Sequence, residues 1–170
     1  ARQAARDLKV KTSLLDVRYL CGDAMLFGEL EERITAETWA QNPVHFFKEK
    51  LAFKIERHAK FGDSIYLLQP NLKEGQGGLR DLHTALWVAK VKYKVKSFRD
   101  LVALGVVTEP DLDELQIAVD FLWRLRNAMH LESNSHQDHL TYELQYKMAS
   151  ALGFGEGRPG VEALVLPGGE

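Results

Sequence analysis

The amino-acid sequence predicts a mainly α-helical fold, an irregular bundle of six or seven helices. Apolar residues recur every three to four positions over long stretches of the chain. Residues that cap helices stand where several of these stretches begin, and glycines or short polar segments follow where they end. Residues 13–20 leave two alternatives open, because their β-branched and aromatic content permits a short strand as well as a helix.

Start and stop signals define the individual helices. Asp23 is expected to cap a helix, and Thr35 the next one, which Pro43 interrupts or restarts. Thr108 and Thr141 are expected to open two further helices in the same way. The helical patterns cover residues 1–12, 23–34, 35–62 with an interruption at Pro43, 79–93, 97–105, 108–131 and 141–152.

Composition limits the classes of protein to which the chain can belong. It has 170 residues and a formal net charge of −2, so no strong overall field favours nucleic acid. No apolar run has the length of a membrane span, and no signal peptide is recognised, so a cytoplasmic protein without a membrane partner is expected. The single cysteine, Cys21, excludes an internal disulfide, and its apolar neighbours suggest a small core residue.

A glycine-rich loop precedes the helix expected at residues 79–93. Glycines tolerate a positive φ and allow close approach, and free amides at a helix start attract anions. The candidate phosphate-binding residues are Lys73, Gly75, Gly77, Gly78 and Arg80. A tight turn without a ligand explains the glycines equally well, with Asp81 either paired with Arg80 or capping the helix.

Two further polar groups have both a functional and a structural interpretation. Arg126, Asn127 and His130 fall on adjoining parts of one helix surface, where they line a cleft or form a hydrogen-bonded seam between helices. The loop at residues 136–139 contains two histidines and an aspartate, which suggests a metal site or, more simply, an exposed polar turn.

These motifs occur in a characteristic order along the chain. Together they resemble the family of bifunctional PII uridylyltransferases/uridylyl-removing enzymes over roughly residues 13–162. The segments that carry the resemblance are Asn71-Leu72-Lys73-Glu74-Gly75-x-Gly77-Gly78-Leu79-Arg80-Asp81, Phe121-Leu122-Trp123-Arg124-Leu125-Arg126-Asn127-x-x-His130, Asp138-x-Leu140 and Glu143-Leu144-Gln145. The glycine motif alone also resembles adenylyl-transferring and CBS-associated nucleotidyltransferases.

The resemblance implies a division of the chain. In that family a nucleotidyltransferase domain, which holds Mg²⁺ and UTP, precedes a helical domain, an HD phosphohydrolase domain and two ACT domains. Residues 1–22 would then be the end of the transferase domain, 23–158 the helical domain, and 159–170 a linker or divergent tail. Asp16 is the candidate for a third catalytic carboxylate.

The resemblance also implies an activity for the intact enzyme, the transfer of UMP from UTP to a tyrosine of the PII protein. Lys73 and Arg80 would neutralise phosphate charge, and Arg126, Asn127 and His130 would line or brace the cleft. The chain by itself is expected to be inactive, because it lacks the family's paired aspartates. The alternative is a non-catalytic helical scaffold or partner-docking module.

Overall fold

The computed structural model describes residues 7–36, 43–62 and 64–154, and this part of the chain is built from helices. The predicted all-α class is therefore confirmed. Seven helices are found in the described residues: α1 Leu8–Leu14, α2 Ala24–Ile34, α3 Pro43–Phe61, α4 Leu79–Tyr93, α5 Phe98–Ala103, α6 Glu109–Ser133 and α7 Tyr142–Ala151.

Local capping explains why several helices begin where the sequence indicated. The Asp23 carboxylate accepts the Met25 amide at 2.8 Å and so satisfies a donor that the first turn of α2 leaves unpaired. The Thr141 hydroxyl accepts the Leu144 amide at 3.4 Å at the start of α7. Both predicted N-caps are confirmed.

The structure decides one open alternative and contradicts two expectations. Residues 13–20 contain no strand: Ser13 and Leu14 complete the helix α1, and a turn follows. Thr35 closes α2 as its C-cap, with its hydroxyl donating to the Glu31 carbonyl at 2.9 Å. The helix expected to follow Thr35 falls mainly on residues outside the described part. Cys21 is exposed and takes no part in a core.

The chain divides into two compact units, each assembled from two separate stretches of sequence. Unit 1 comprises residues 1–56 and 82–112, and unit 2 comprises residues 57–81 and 113–170. The predicted domain boundary after residue 22 stays a prediction. The predicted tail at 159–170 lies outside the described residues.

Unit 1 contains two small apolar clusters. One joins Ile34 of α2, Phe46 of α3 and Val91 of α4, and the second joins Ala89, Val95 and Leu101 around the turn between α4 and α5. Burial of such side chains contributes roughly 1.5–3 kcal/mol each. These clusters hold α2, α3, α4 and α5 in place within the unit.

Unit 2 has one larger core, and the glycine-rich loop contributes to it directly. Leu72 packs with two residues of α6, Leu125 and Met129, of which Met129 is fully buried. The same core includes Leu140, Leu144 and Met148. The polar residues beside Leu72 are therefore anchored against α6 and the start of α7. Among the described helices, none combines the length and apolarity that a membrane span requires.

Candidate functional site

The glycine-rich loop of unit 2 folds into a compact turn that ends at the start of α4. The Asn71 Oδ1 atom shapes the turn, because it accepts the Lys73 amide at 3.1 Å and the Glu74 amide at 2.7 Å. The Asn71 carbonyl then accepts the Gly75 amide at 3.0 Å. Asparagine commonly stabilises turns by binding amides a few residues ahead in this way.

Backbone geometry requires each of the three glycines in this loop. Gly77 adopts a φ of +75°, in the left-handed region that favours glycine. A Cβ atom on Gly75 would lie 2.7 Å from the Asn71 carbonyl oxygen, and one on Gly78 would lie 2.8 Å from that of Leu72. Side chains at these positions would therefore strain or displace the backbone.

The amides of the loop donate hydrogen bonds within the loop itself. At 2.8–3.0 Å, carbonyl oxygens of the loop or the Asp81 carboxylate accept the amides of Gly75, Gly77, Gly78, Leu79 and Arg80. A phosphate cradle built from backbone would need these donors to face a ligand. The phosphate-binding role predicted for the glycines stays a prediction, and support for it has to come from the side chains of Lys73 and Arg80.

Asp81, in the first turn of α4, gathers two basic side chains from α3. Arg57 Nη2 donates to its carboxylate at 2.5 Å, and His58 Nε2 lies 3.0 Å from both carboxylate oxygens. The Gly77 amide donates to the same carboxylate at 2.9 Å, which fixes the turn before the helix. His58 is buried, so this cluster ties α3 to the glycine loop from the inside.

Glu74 lies among three cationic side chains. Its carboxylate oxygens are 3.3 Å from Arg80 Nη2, 3.8 Å from Arg57 Nε and 3.9 Å from Lys73 Nζ. Arg57 Nη1 also donates to the Glu74 backbone carbonyl at 2.8 Å. Two of the predicted phosphate-binding residues, Lys73 and Arg80, are thus placed beside one carboxylate.

Asp138 forms a second centre and brings together the residues predicted on α6. Arg126 Nε donates to its Oδ1 atom at 2.7 Å, and His130 Nε2 lies 2.9 Å from the same oxygen. Lys73 Nζ is 3.8 Å from Oδ2. Arg126 and His130 therefore act together, as their spacing predicted, while Asn127 is exposed.

The backbone joins the Asp138 segment to the glycine loop. The Leu72 amide donates to the Asp138 carbonyl at 2.8 Å, and the Leu140 amide donates to the Pro70 carbonyl at 2.9 Å. Asn71 and His139 form an isolated antiparallel bridge between these bonds. Gln145 Nε2 adds bonds to the carbonyls of Leu68 at 2.6 Å and Leu140 at 3.1 Å. The separate motifs of the sequence thus meet in one cluster.

The electrostatics of the two aspartates are similar. Burial raises the pKa of Asp81, but the hydrogen bonds from Arg57, the Gly77 amide and His58 outweigh it and hold the pKa below its usual 3.8. Burial likewise raises the pKa of Asp138, and the bonds from Arg126 and His130, with the charge of Lys73, lower it overall. Both carboxylates are therefore ionised acceptors at neutral pH.

Two predictions remain, the catalytic role of Asp16 and the nature of the loop at residues 136–139. Asp16 belongs to unit 1, where its carboxylate accepts Trp87 Nε1 at 2.7 Å and Lys90 Nζ at 2.6 Å. In the loop at 136–139, His136 and His139 are exposed, whereas Gln137 and Asp138 are partly buried, so the expectation of an exposed polar turn is only partly right. The described residues contain no group of three His, Cys, Asp or Glu side chains placed to hold a metal ion.

Four residues of the cluster were not predicted as site residues: Arg57, His58, Glu74 and Asp138. Glu74 and Asp138 stand inside the segments that carry the family resemblance, and this position is the signal by which the sequence could have indicated them. Arg57 and His58 lie on α3 and show no distinguishing spacing. Their contact with Asp81 arises only in the folded unit.

Comparison with known proteins gives consistent results along most of the chain. The family described as GlnD PII-uridylyltransferase matches residues 45–165. A "Bifunctional uridylyltransferase/uridylyl-removing enzyme" of Bradyrhizobium sp. (strain BTAi1) is 40% identical over 161 residues. The protein of the same name from Nitrobacter hamburgensis is 39% identical over 161 residues.

The matches cover nearly all of this chain but only a small share of each relative. Each match covers 95% of this chain but only 17% of the relative, so the chain spans about a sixth of the length of these curated proteins. No solved structure matches it. Because the family match covers well over half of the sequence, the chain belongs to the PII-uridylyltransferase family.

Proposed function

We propose that this chain serves a uridylyltransferase that moves UMP from UTP to a tyrosine hydroxyl of the PII protein and releases pyrophosphate. The observation that carries this proposal is the family match over residues 45–165, together with relatives at about 40% identity that bear the uridylyltransferase name. UTP as substrate and PII as protein partner are both parts of the proposal.

Within such an enzyme the described cluster has two tasks. Lys73 and Arg80 are about one third exposed, so their charged ends can reach an anion in solvent. Arg gives a bidentate fork to phosphate, and Lys gives a point charge. Arg126 and His130 bind Asp138 instead, so they brace the loop that presents these two cations.

The chemistry itself is assigned to residues beyond this cluster. Transfer of a nucleotidyl group is commonly assisted by metal ions held by paired carboxylates. The described residues contain no group of three or more His, Cys, Asp or Glu side chains placed to hold a metal ion, so we do not assign the Mg²⁺ expected for the enzyme to them. We further propose that the chain alone does not transfer UMP, and its expected cytoplasmic location is part of the same proposal.

The test uses the full-length enzyme with Arg80→Ala, assayed by the initial rate of UMP incorporation into PII at varied UTP. We expect the KM for UTP to rise about tenfold, equivalent to about 1.4 kcal/mol, because a charged phosphate contact is lost. Arg124→Ala is the matched control, since Arg124 is 66% exposed and pairs only loosely with Asp120, at 3.8 Å. Equal kinetics for the two variants and the wild type would reject the phosphate contact.

A second candidate, a non-catalytic helical module, is favoured by one specific observation. The amides of the glycine loop are satisfied internally, as expected of a purely structural turn. Arg126→Ala distinguishes the two in the full-length enzyme. In a non-catalytic module this variant lowers the melting temperature and leaves the KM for UTP unchanged at temperatures where the variant is folded. If Arg126 braces the loop that presents Lys73 and Arg80 to UTP, the KM for UTP rises as well.

A further inference from the structure

Glu74 differs from the other two carboxylates of the cluster in how its partners hold it. Asp81 and Asp138 each accept hydrogen bonds of 2.5–3.0 Å from basic side chains. The cations around the Glu74 carboxylate lie at 3.3–3.9 Å. Of these contacts only the one from Arg80 Nη2, at 3.3 Å, is a hydrogen bond, and it is longer than those to the two aspartates. Arg57 and Lys73 contribute charge attraction at 3.8 and 3.9 Å. Glu74 is therefore the weakly bound anion of the three.

The Glu74 backbone is fixed although its carboxylate is held loosely. Its amide donates to Asn71 Oδ1 at 2.7 Å, and its carbonyl accepts Arg57 Nη1 at 2.8 Å. The side chain can therefore rotate away without any change in the fold of the glycine loop. Lys73 and Arg80 come from the same loop and from the start of α4, so they would remain in position.

The cations beside Glu74 form a suitable environment for a larger anion. Arg57, Lys73 and Arg80 bring three positive charges to one carboxylate. Arg57 also pairs with Asp81, and Lys73 also lies 3.8 Å from Asp138. The Lys73 and Arg80 side chains keep 35% and 34% of their surface exposed, so a ligand in solvent can reach them. A chain of phosphates offers more charge and more acceptor oxygens than one carboxylate does.

We propose that the Glu74 carboxylate occupies the position of a polyphosphate, and that a nucleoside triphosphate displaces it from Lys73 and Arg80. This inference rests on the proposed function, because it concerns the phosphate contacts of the same site. A ligand binds at this position only if it replaces the contacts that Glu74 makes with the cations. Weakly charged ligands cannot replace them, so their binding is disfavoured. A triphosphate, with several negative charges, replaces them with stronger ones.

The experiment measures binding of inorganic tripolyphosphate to the purified full-length enzyme by titration calorimetry at low salt. Glu74→Gln removes the competing charge and should tighten binding about tenfold, which corresponds to about 1.4 kcal/mol. Glu132→Gln is the matched control, since it removes the same charge from the 43% exposed side chain that pairs with Lys147. We expect the control to stay within about twofold of the wild type.

Two further variants complete the design. Lys73→Met in the Glu74→Gln background should return the affinity to the wild-type value or below it. Glu74→Asp keeps the charge but withdraws it from the cations, so it should tighten binding in the same direction by a smaller factor. Circular dichroism confirms that each variant retains its helices.

The inference is overturned if folded Glu74→Gln binds tripolyphosphate no more tightly than the wild type. It is equally overturned if neither Glu74 variant folds, because Glu74 would then be part of the loop's structure. Failure of the proposed function has a different signature, namely unchanged UTP kinetics for Arg80→Ala in the full-length enzyme. If Arg80→Ala weakens UTP use while Glu74→Gln changes nothing, only the displacement is rejected.

Discussion

Replacement of Asp138 by asparagine should destabilise the chain more than any surface charge change. The Asp138 side chain is only 15% exposed and accepts Arg126 at 2.7 Å and His130 at 2.9 Å. Hydrogen bonds to charged groups contribute about 1.5–3 kcal/mol each, and breaking a fully buried ion pair costs about 3–5 kcal/mol. Because the new amide side chain would keep one acceptor oxygen and the site retains some exposure, we expect a loss of about 2–3 kcal/mol.

Urea and thermal denaturation, followed by circular dichroism, measure this loss. For a chain of this size, a loss of about 2–3 kcal/mol corresponds to a fall of roughly 4–12 °C in melting temperature. Asp120→Asn is the matched control, since Asp120 is 70% exposed, lies on the same helix α6 as Arg126 and pairs loosely with Arg124. Its expected cost is below about 0.5 kcal/mol. If both variants lose the same small amount, Asp138 does not hold the loop and the reasoning is refuted.

Two other outcomes follow from the same cluster. The lowered pKa values of Asp81 and Asp138 mean that their contribution to stability is complete above the unfolded pKa of about 4. That contribution is lost as the pH falls through their lower folded values, so the free energy of unfolding should decrease there, and Asp138→Asn should flatten the decrease. Gly78→Ala should cost about 2 kcal/mol or more, since its Cβ would meet three backbone carbonyl oxygens at 2.8–3.0 Å. Gly28→Ala in α2, where a Cβ has no neighbour within 4 Å, should instead stabilise by about 0.5–1 kcal/mol; equal costs in a melting experiment would contradict the close approach at Gly78.

Features encoded by neighbouring residues were predictable from the sequence. The starts of α2 and α7 followed from Asp23 and Thr141, because a capping side chain binds amides only two or three residues away. The shared face of Arg126 and His130 followed from the helical period alone. The secondary structure of residues 13–20 could not be decided from the sequence, because β-branched and aromatic content permitted a strand as well as a helix. In the structure the helix α1 extends through Leu14.

The acids that organise the site were not predictable in the same way. Asp138 meets Arg126 and His130 across a turn, and Asp81 meets Arg57 and His58 from another helix. No periodicity in a single sequence specifies such pairs, because tertiary packing decides them. The sequence indicated that the glycines are special, but only in the folded loop do backbone carbonyl oxygens crowd Gly75 and Gly78.

Unit 2 is made of two separate stretches of sequence, and this arrangement affects how the chain folds during synthesis. The glycine loop emerges from the ribosome well before Asp138 and Leu140, which accept and donate its backbone bonds. At about 5–20 residues per second, the loop waits on the order of seconds for these partners. Until then Leu72 has no core to enter. A nascent chain arrested between residues 82 and 112 should therefore leave this loop open to proteases, and release of the later residues should protect it.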